Sequence, residues 1–191
     1  MKHIFILFCF LSTFAFSQNP FQYKGFSGGM MIHSGFLTSE SGDKGMPFGL
    51  GGCGRVHFGN HLRIGGEGYV SDLTYGAFNS ISSVSWGGLL IDLKADIKHF
   101  TPFTGVVLGG GSFQNIILTD RAENDLEIIE NASYKKYSFL AACPFIGMEY
   151  ALTNKLHLIL KADYLMNINK PTDDFSKGVR VFFGLIFNRV K

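Results

Sequence analysis

The sequence predicts an all-β protein, a single eight-stranded antiparallel up-and-down transmembrane β-barrel, on three observations. Lys155 to Met166, KLHLILKADYLM, alternates with a period of two: Leu156, Leu158, Leu160, Ala162, Tyr164 and Met166 share one face, and Lys155, His157, Ile159, Lys161, Asp163 and Leu165 the other. Seven further stretches divide in the same way. The segments between them alternate short and long, as in a barrel with tight turns at one end and loops at the other. Twelve residues from 155 to 166 exceed the usual half-buried strand and suit a tilted crossing, which takes about 9–11 residues. A helix would spread the apolar residues around the whole cylinder instead of along one stripe.

Residues 1–17 read as a signal peptide, with Lys2, an apolar run from Ile4 to Leu11, and small residues at Ala15 and Ser17. That run is too short to anchor, since spanning takes about 18 residues. Residues 18–191 then form the barrel domain. Cys9 lies within the apolar run and lacks the preceding small residues of a lipoprotein, and Cys53 and Cys143 are too far apart to suggest a disulfide framework.

The strands follow in order. Gly25 to Phe36 sets Phe26, Gly28, Met30, Ile32 and Phe36 against Ser27, Gly29, Met31 and His33. Pro47 to Phe58 sets Phe48, Leu50, Val56 and Phe58 against Cys53, Arg55 and His57. Both carry outward phenylalanines ten residues apart, which at a tilt of about 40° matches an apolar band about 25 Å tall. Leu62 to Ser71 turns Leu62, Ile64 and Val70 outward and Arg63, Glu67 and Tyr69 inward; Val84 to Ile97 turns Leu89, Ile91, Leu93, Ala95 and Ile97 outward and Trp86, Asp92, Lys94 and Asp96 inward. In Phe103 to Asn115, Thr104, Val106 and Leu108 face out and Gly105, Gly109 and Gly111 in. Lys136 to Tyr150 is the least regular, with Pro144 marking a bulge. After Lys155 to Met166 comes Val179 to Arg189, with Val179, Val181, Phe183, Leu185 and Phe187 out and Arg180, Gly184 and Asn188 in. Short turns fall at Gly59 to His61, His99 to Pro102 and Ala151 to Asn154, and longer connections at Leu37 to Met46, Asp72 to Ser83, Ile116 to Lys135 and Asn167 to Lys177.

Composition agrees. The 24 glycines and 20 phenylalanines suit a narrow barrel with rings at two membrane interfaces, and a net charge of +2 gives no footprint for nucleic acid. A Lys or Arg facing lipid near the midplane costs about 2–4 kcal/mol, so the charged face is the lumen. That face collects Arg55, Arg63, Lys94, Lys155, Lys161 and Arg180 against Glu67, Asp92, Asp96, Glu149 and Asp163. An eight-stranded lumen is only wide enough to be filled by side chains, so these charges are expected to pair into an interior network.

Other motifs lose to plainer readings. Gly49-Leu50-Gly51-Gly52-Cys53-Gly54 matches G-x-G-x-x-G, but a strand continues straight through it where a dinucleotide site needs a helix. His33, Cys53, His57 and His157 face inward; Cys53 and His57, four apart on a strand, are about 13 Å apart and cannot share an ion at bonds near 2 Å. No Ser, His and acid converge, so no enzyme, metal or cofactor is expected. Asp120, Glu123, Asp125, Glu127 and Glu130 with Arg121 read as a solvated acidic loop.

With this layout the chain resembles the small outer-membrane β-barrel proteins of Gram-negative bacteria, the OmpA-type and OmpX-type barrels. The resemblance covers Gln18 to Lys191, with Pro102-Phe103-Thr104-Gly105 leading to Gly109-Gly110-Gly111 and the apolar last strand as its most family-like features. Such barrels usually finish on an aromatic residue, whereas here Phe187 is followed by Asn188, Arg189, Val190 and Lys191. The resemblance implies a place in the cell outer membrane, contact with outer-membrane lipid, lipopolysaccharide and the outer-membrane assembly machinery, and a structural or surface-interaction role with an unspecified extracellular partner. A small porin-like channel is one alternative. A secreted lipocalin-like ligand-binding barrel is the other, and it requires the apolar face to be the interior.

Overall fold

Backbone polar groups in a bilayer must be satisfied within the protein, and a sheet achieves this only by closing on itself. The computed structural model, which describes residues 22–38, 44–75, 80–121, 129–169 and 177–190, closes in this way. Its strands are β1 (Tyr23–Thr38), β2 (Lys44–Gly45), β3 (Phe48–Phe58), β4 (Leu62–Tyr75), β5 (Ser80–Lys94), β6 (Phe100–Arg121), β7 (Ile129–Ala151), β8 (Leu156–Tyr164), β9 (Met166–Asn167) and β10 (Lys177–Val190). β2 and β9 are two-residue additions paired to β1 and β7. The eight long strands pair antiparallel with their neighbours in chain order, and β10 returns to β1.

The pairings fix the tilt. From Gly25 the register partners run His57, Arg63, Asp92, Gly105, Phe145, Asp163 and Arg180, and return to β1 at Gly35, ten residues further along (35 − 25). A ten-residue shift at about 3.3 Å per residue, over eight strands about 4.8 Å apart, inclines the strands by about 40°. The ten-residue intervals Phe26 to Phe36 and Phe48 to Phe58 then climb about 25 Å, the height of an outer-membrane apolar band. Allowing for the shift, Phe26, Phe58, Phe100, Tyr150 and Phe187 fall at one level near the short turns, and Phe36, Phe48 and Tyr164 at a second level near the loops. Between them the wall exposes Met30, Ile32, Leu50, Leu89, Leu108, Ile146, Leu160, Val181 and Leu185. So large an apolar exterior is foreign to a soluble monomer.

Inward glycines make room for inward rings. A Cβ at Gly51 would overlap the Tyr69 ring, and one at Gly147 the Phe103 ring; Tyr69 and Phe103 are both buried. At the β3–β4 turn Gly59 has φ 54°, a left-handed conformation that glycine adopts without the Cβ penalty.

Three expectations need correction. Pro144 makes no bulge against β6, where it pairs with Val106 in unbroken register. The ladder breaks on its other side, between Asp163 and Met166, where proline has no N–H to donate. Asp72 to Ser83 is mostly strand, pairing through to Tyr75 with Ser80. Ile116 to Lys135 likewise continues as ladder to Arg121 with Ile129, with register shifts beyond Leu118. Both stretches lie beyond the loop-side rings and the apolar band of the wall, so their polar sequences do not show the apolar alternation that marks the other strands. The signal peptide, Glu123, Asp125 and Glu127 lie outside the described residues.

Candidate functional site in the barrel lumen

Strand parity turns the charged residues inward, and the tilt decides which of them meet. Arg63 and Asp92 are direct cross-strand partners on β4 and β5, joined by Arg63 Nε donating to Asp92 Oδ1 at 2.6 Å. Glu149 reaches them from across the lumen on β7. Its Oε1 accepts from Arg55 Nη1 and from Arg63 Nη1, each at 2.7 Å, while Arg55 Nε lies 3.6 Å from Asp92 Oδ2. The Phe103 ring covers both guanidinium groups, with centroids 5.1 Å from Arg55 and 5.0 Å from Arg63. Two arginines and two carboxylates thus form one closed group near the short-turn end.

A second group sits nearer the barrel centre. Asp163 and Arg180 are cross-strand partners on β8 and β10, with a two-point bond of 2.9 Å from Nε to Oδ1 and 2.8 Å from Nη2 to Oδ2. Lys161 Nζ donates across the lumen to Glu67 Oε1 and to Tyr69 Oη at 2.9 Å, and it lies 3.9 Å from Asp163 Oδ2. Rings enclose these cations: Lys161 stands 4.4 Å from the Phe182 centroid and 4.9 Å from that of Phe145, and Arg180 stands 5.4 Å from that of Trp86. Above them Phe113, Phe139 and Leu73 fill the lumen towards the loops.

Of the eleven residues expected in the interior network, eight are buried there: Arg55, Arg63, Lys161 and Arg180 against Glu67, Asp92, Glu149 and Asp163. Four cations face four anions, a closer balance than the six against five read from the sequence. Three residues belong elsewhere. Lys155 is exposed in the β7–β8 turn, because β8 begins only at Leu156. Asp96 lies beyond the end of β5 with its side chain 55% exposed, and Lys94 reaches out to it, 2.6 Å from Nζ to Oδ2. Period-two alternation continued past the strand ends and assigned Lys155 and Asp96 a face they do not have, whereas Lys94, the last residue of β5, keeps the inward parity and turns its ammonium to Asp96.

Burial alone would raise the Asp96 carboxyl, but the hydrogen bond and charge of Lys94 and the hydroxyl of Thr101 outweigh it and hold the group below the usual carboxylate range. A depressed folded-state pKa stabilises above the unfolded value and is lost as pH falls through the folded one. Asp96→Asn is therefore expected to be slightly less stable than the parent at neutral pH. Urea midpoints of the two that fail to converge as the pH drops below the ordinary carboxylate range would contradict this.

Sequence reasoning missed two features. Ser27 Oγ and His57 Nε2 share a buried hydrogen bond of 2.7 Å; alternation puts both on inward faces, but only the β1–β3 register sets them diagonally adjacent. The sequence also gives no sign of the rings over the cations, since Phe103 stands on a different strand from Arg55 and Arg63, and Phe145 and Phe182 on different strands from Lys161. His33 packs between Tyr69 and Phe182, at centroid distances of 5.5 and 4.7 Å. Gly49 to Gly54 runs as uninterrupted strand within β3.

No family model matches the sequence, and no curated protein matches it either. Solved structures do match. Neisserial surface protein A aligns at a TM-score of 0.59 with 15% identity, over 89% of this chain and 99% of its own. The outer membrane protein OprG of Pseudomonas aeruginosa aligns at 0.54 with 12% identity, over 91% and 100%. Ail, the attachment invasion locus protein of Yersinia pestis, solved with the heparin analogue sucrose octasulfate, aligns at 0.53 with 12% identity, over 87% and 99%. Identities this low speak for fold alone, and on that ground the chain is a closed eight-stranded antiparallel up-and-down barrel with the fold of the small outer-membrane β-barrel proteins.

Proposed function

We propose that the protein, exported with residues 1–17 removed, spans the outer membrane as a closed barrel that neither conducts nor catalyses. Outer-membrane lipid and lipopolysaccharide surround its wall, the outer-membrane assembly machinery inserts it, and its role is structural or is carried by its loops at the cell surface. The observation that supports this most directly is the division of the wall. Apolar side chains cover the outside between two levels of rings about 25 Å apart, while eight charged side chains buried inside lie in two groups, each balanced in charge.

A lipocalin-like barrel would need these faces exchanged. A channel would need a wet path past Lys161 and Arg180, whose charges are engaged by Glu67 and Asp163 and enclosed by rings. Two measurements test the reading. Membrane-extracted protein is expected to migrate faster folded than boiled, and purified protein in planar bilayers is expected to give no steady current. A single unshifted band would defeat the membrane barrel, and a persistent open conductance would defeat the closed lumen.

A further inference from the structure

The short-turn end carries a charge pattern that the lumen does not use. Three rings of the lower level are each followed, two residues further out from the membrane, by a cation: Phe26 by Lys24, Phe100 by Lys98 and Phe187 by Arg189. The three rings are exposed, as are Lys98 and Arg189. Lys24 is half-buried, with its Nζ donating to Asn60 Oδ1 at 2.8 Å. A fourth cation, Lys155, is exposed in the β7–β8 turn, and its carbonyl accepts the Asn188 N–H at 2.7 Å, which places it beside Arg189. Among the described residues, 22–24, 59–61, 95–99, 152–155 and 188–190 make up this end, and Asp96 is the one acidic side chain in them. Since Asp96 is engaged by Lys94, four positive charges stand around the barrel just beyond its ring level.

We infer that this collar binds the phosphates of anionic phospholipids in the membrane leaflet at the short-turn end, with each ring against the glycerol and upper acyl region and the neighbouring cation on the headgroup. The spacing supports it. Within β10 the two residues from Phe187 to Arg189 descend roughly 5 Å at a tilt of about 40°, the step from the edge of the hydrocarbon to the phosphate layer, where aromatic residues and cations respectively settle; Lys98 stands in the β5–β6 turn and Lys24 at the register shift between Tyr23 and Gly25, each beyond its ring. The inference rests on the membrane reading above and adds to it a lipid class and a leaflet.

The full chain is folded into phosphatidylcholine bilayers carrying trace spin-labelled phosphatidylglycerol or spin-labelled phosphatidylcholine, and the motionally restricted fraction of each label is measured. Phosphatidylglycerol is expected to associate about fivefold more strongly, the effect of roughly one cationic contact at a charged surface. The triple variant Lys98→Gln, Lys155→Gln, Arg189→Gln is expected to lose that preference, while Lys136→Gln, at an exposed cation on the loop side, keeps it. Equal association of the two labels with the parent, or a preference that survives in the triple variant, overturns the collar and leaves the membrane barrel standing. Absence of a restricted component for either label overturns the membrane reading, and the collar with it.

Discussion

Glu149→Gln is expected to destabilise the folded barrel by about 3–5 kcal/mol, the usual cost of removing one partner from a buried ionic group. One oxygen of Glu149 accepts from both Arg55 and Arg63 at 2.7 Å, and all three side chains are no more than 1% exposed. Glutamine keeps the shape and an acceptor oxygen but leaves two buried guanidinium charges facing Asp92 alone. Trp86, the single tryptophan and a buried one, reports unfolding without added labels. Urea titration of vesicle-folded parent and variant by its fluorescence measures the difference. A loss below about 1 kcal/mol, the scale of exposed pairs, would mean that water screens this group and that the lumen is not dry.

Lys161→Ala is expected to cost a similar amount, by a different route. Its ammonium engages Glu67 and Tyr69 and lies against the rings of Phe145 and Phe182, so truncation both strands Glu67 and opens a gap among those rings. The double variant Lys161→Met with Glu67→Leu removes the pair together and keeps most of the volume. It is expected to recover most of the loss, since replacing a whole buried pair by apolar groups is often neutral or better. Asp163 keeps its two-point bond with Arg180 throughout. If the double variant is no more stable than Lys161→Ala, the ion pair is not what Lys161 contributes, and packing against the rings carries its role.

How far the lumen could be read in advance depended on where each residue lies along its strand. Arg63, Asp92, Lys161 and Asp163 lie within β4, β5 and β8, paired on both sides, where alternation reports the face directly. Lys155 and Asp96 sit beyond strand ends, where parity has no meaning, and both were misplaced. The polar continuation of β4 and β5 past Asp72 and Ser83 is invisible for the opposite reason: it is sheet held by backbone bonds, and beyond the apolar band its side chains do not alternate.

By itself the sequence determined that the chain alternates, how many long strands it forms, and which face of each is charged, because a side-chain period of two acts locally, one strand at a time. Only the tertiary structure decided who pairs with whom. The ten-residue shift on closure places Glu149 of β7 against Arg55 and Arg63 of β3 and β4, and sets Lys161 opposite Glu67 across the lumen. A register is a property of the closed circuit of strands, settled by all eight ladders together, and no single stretch of sequence carries it.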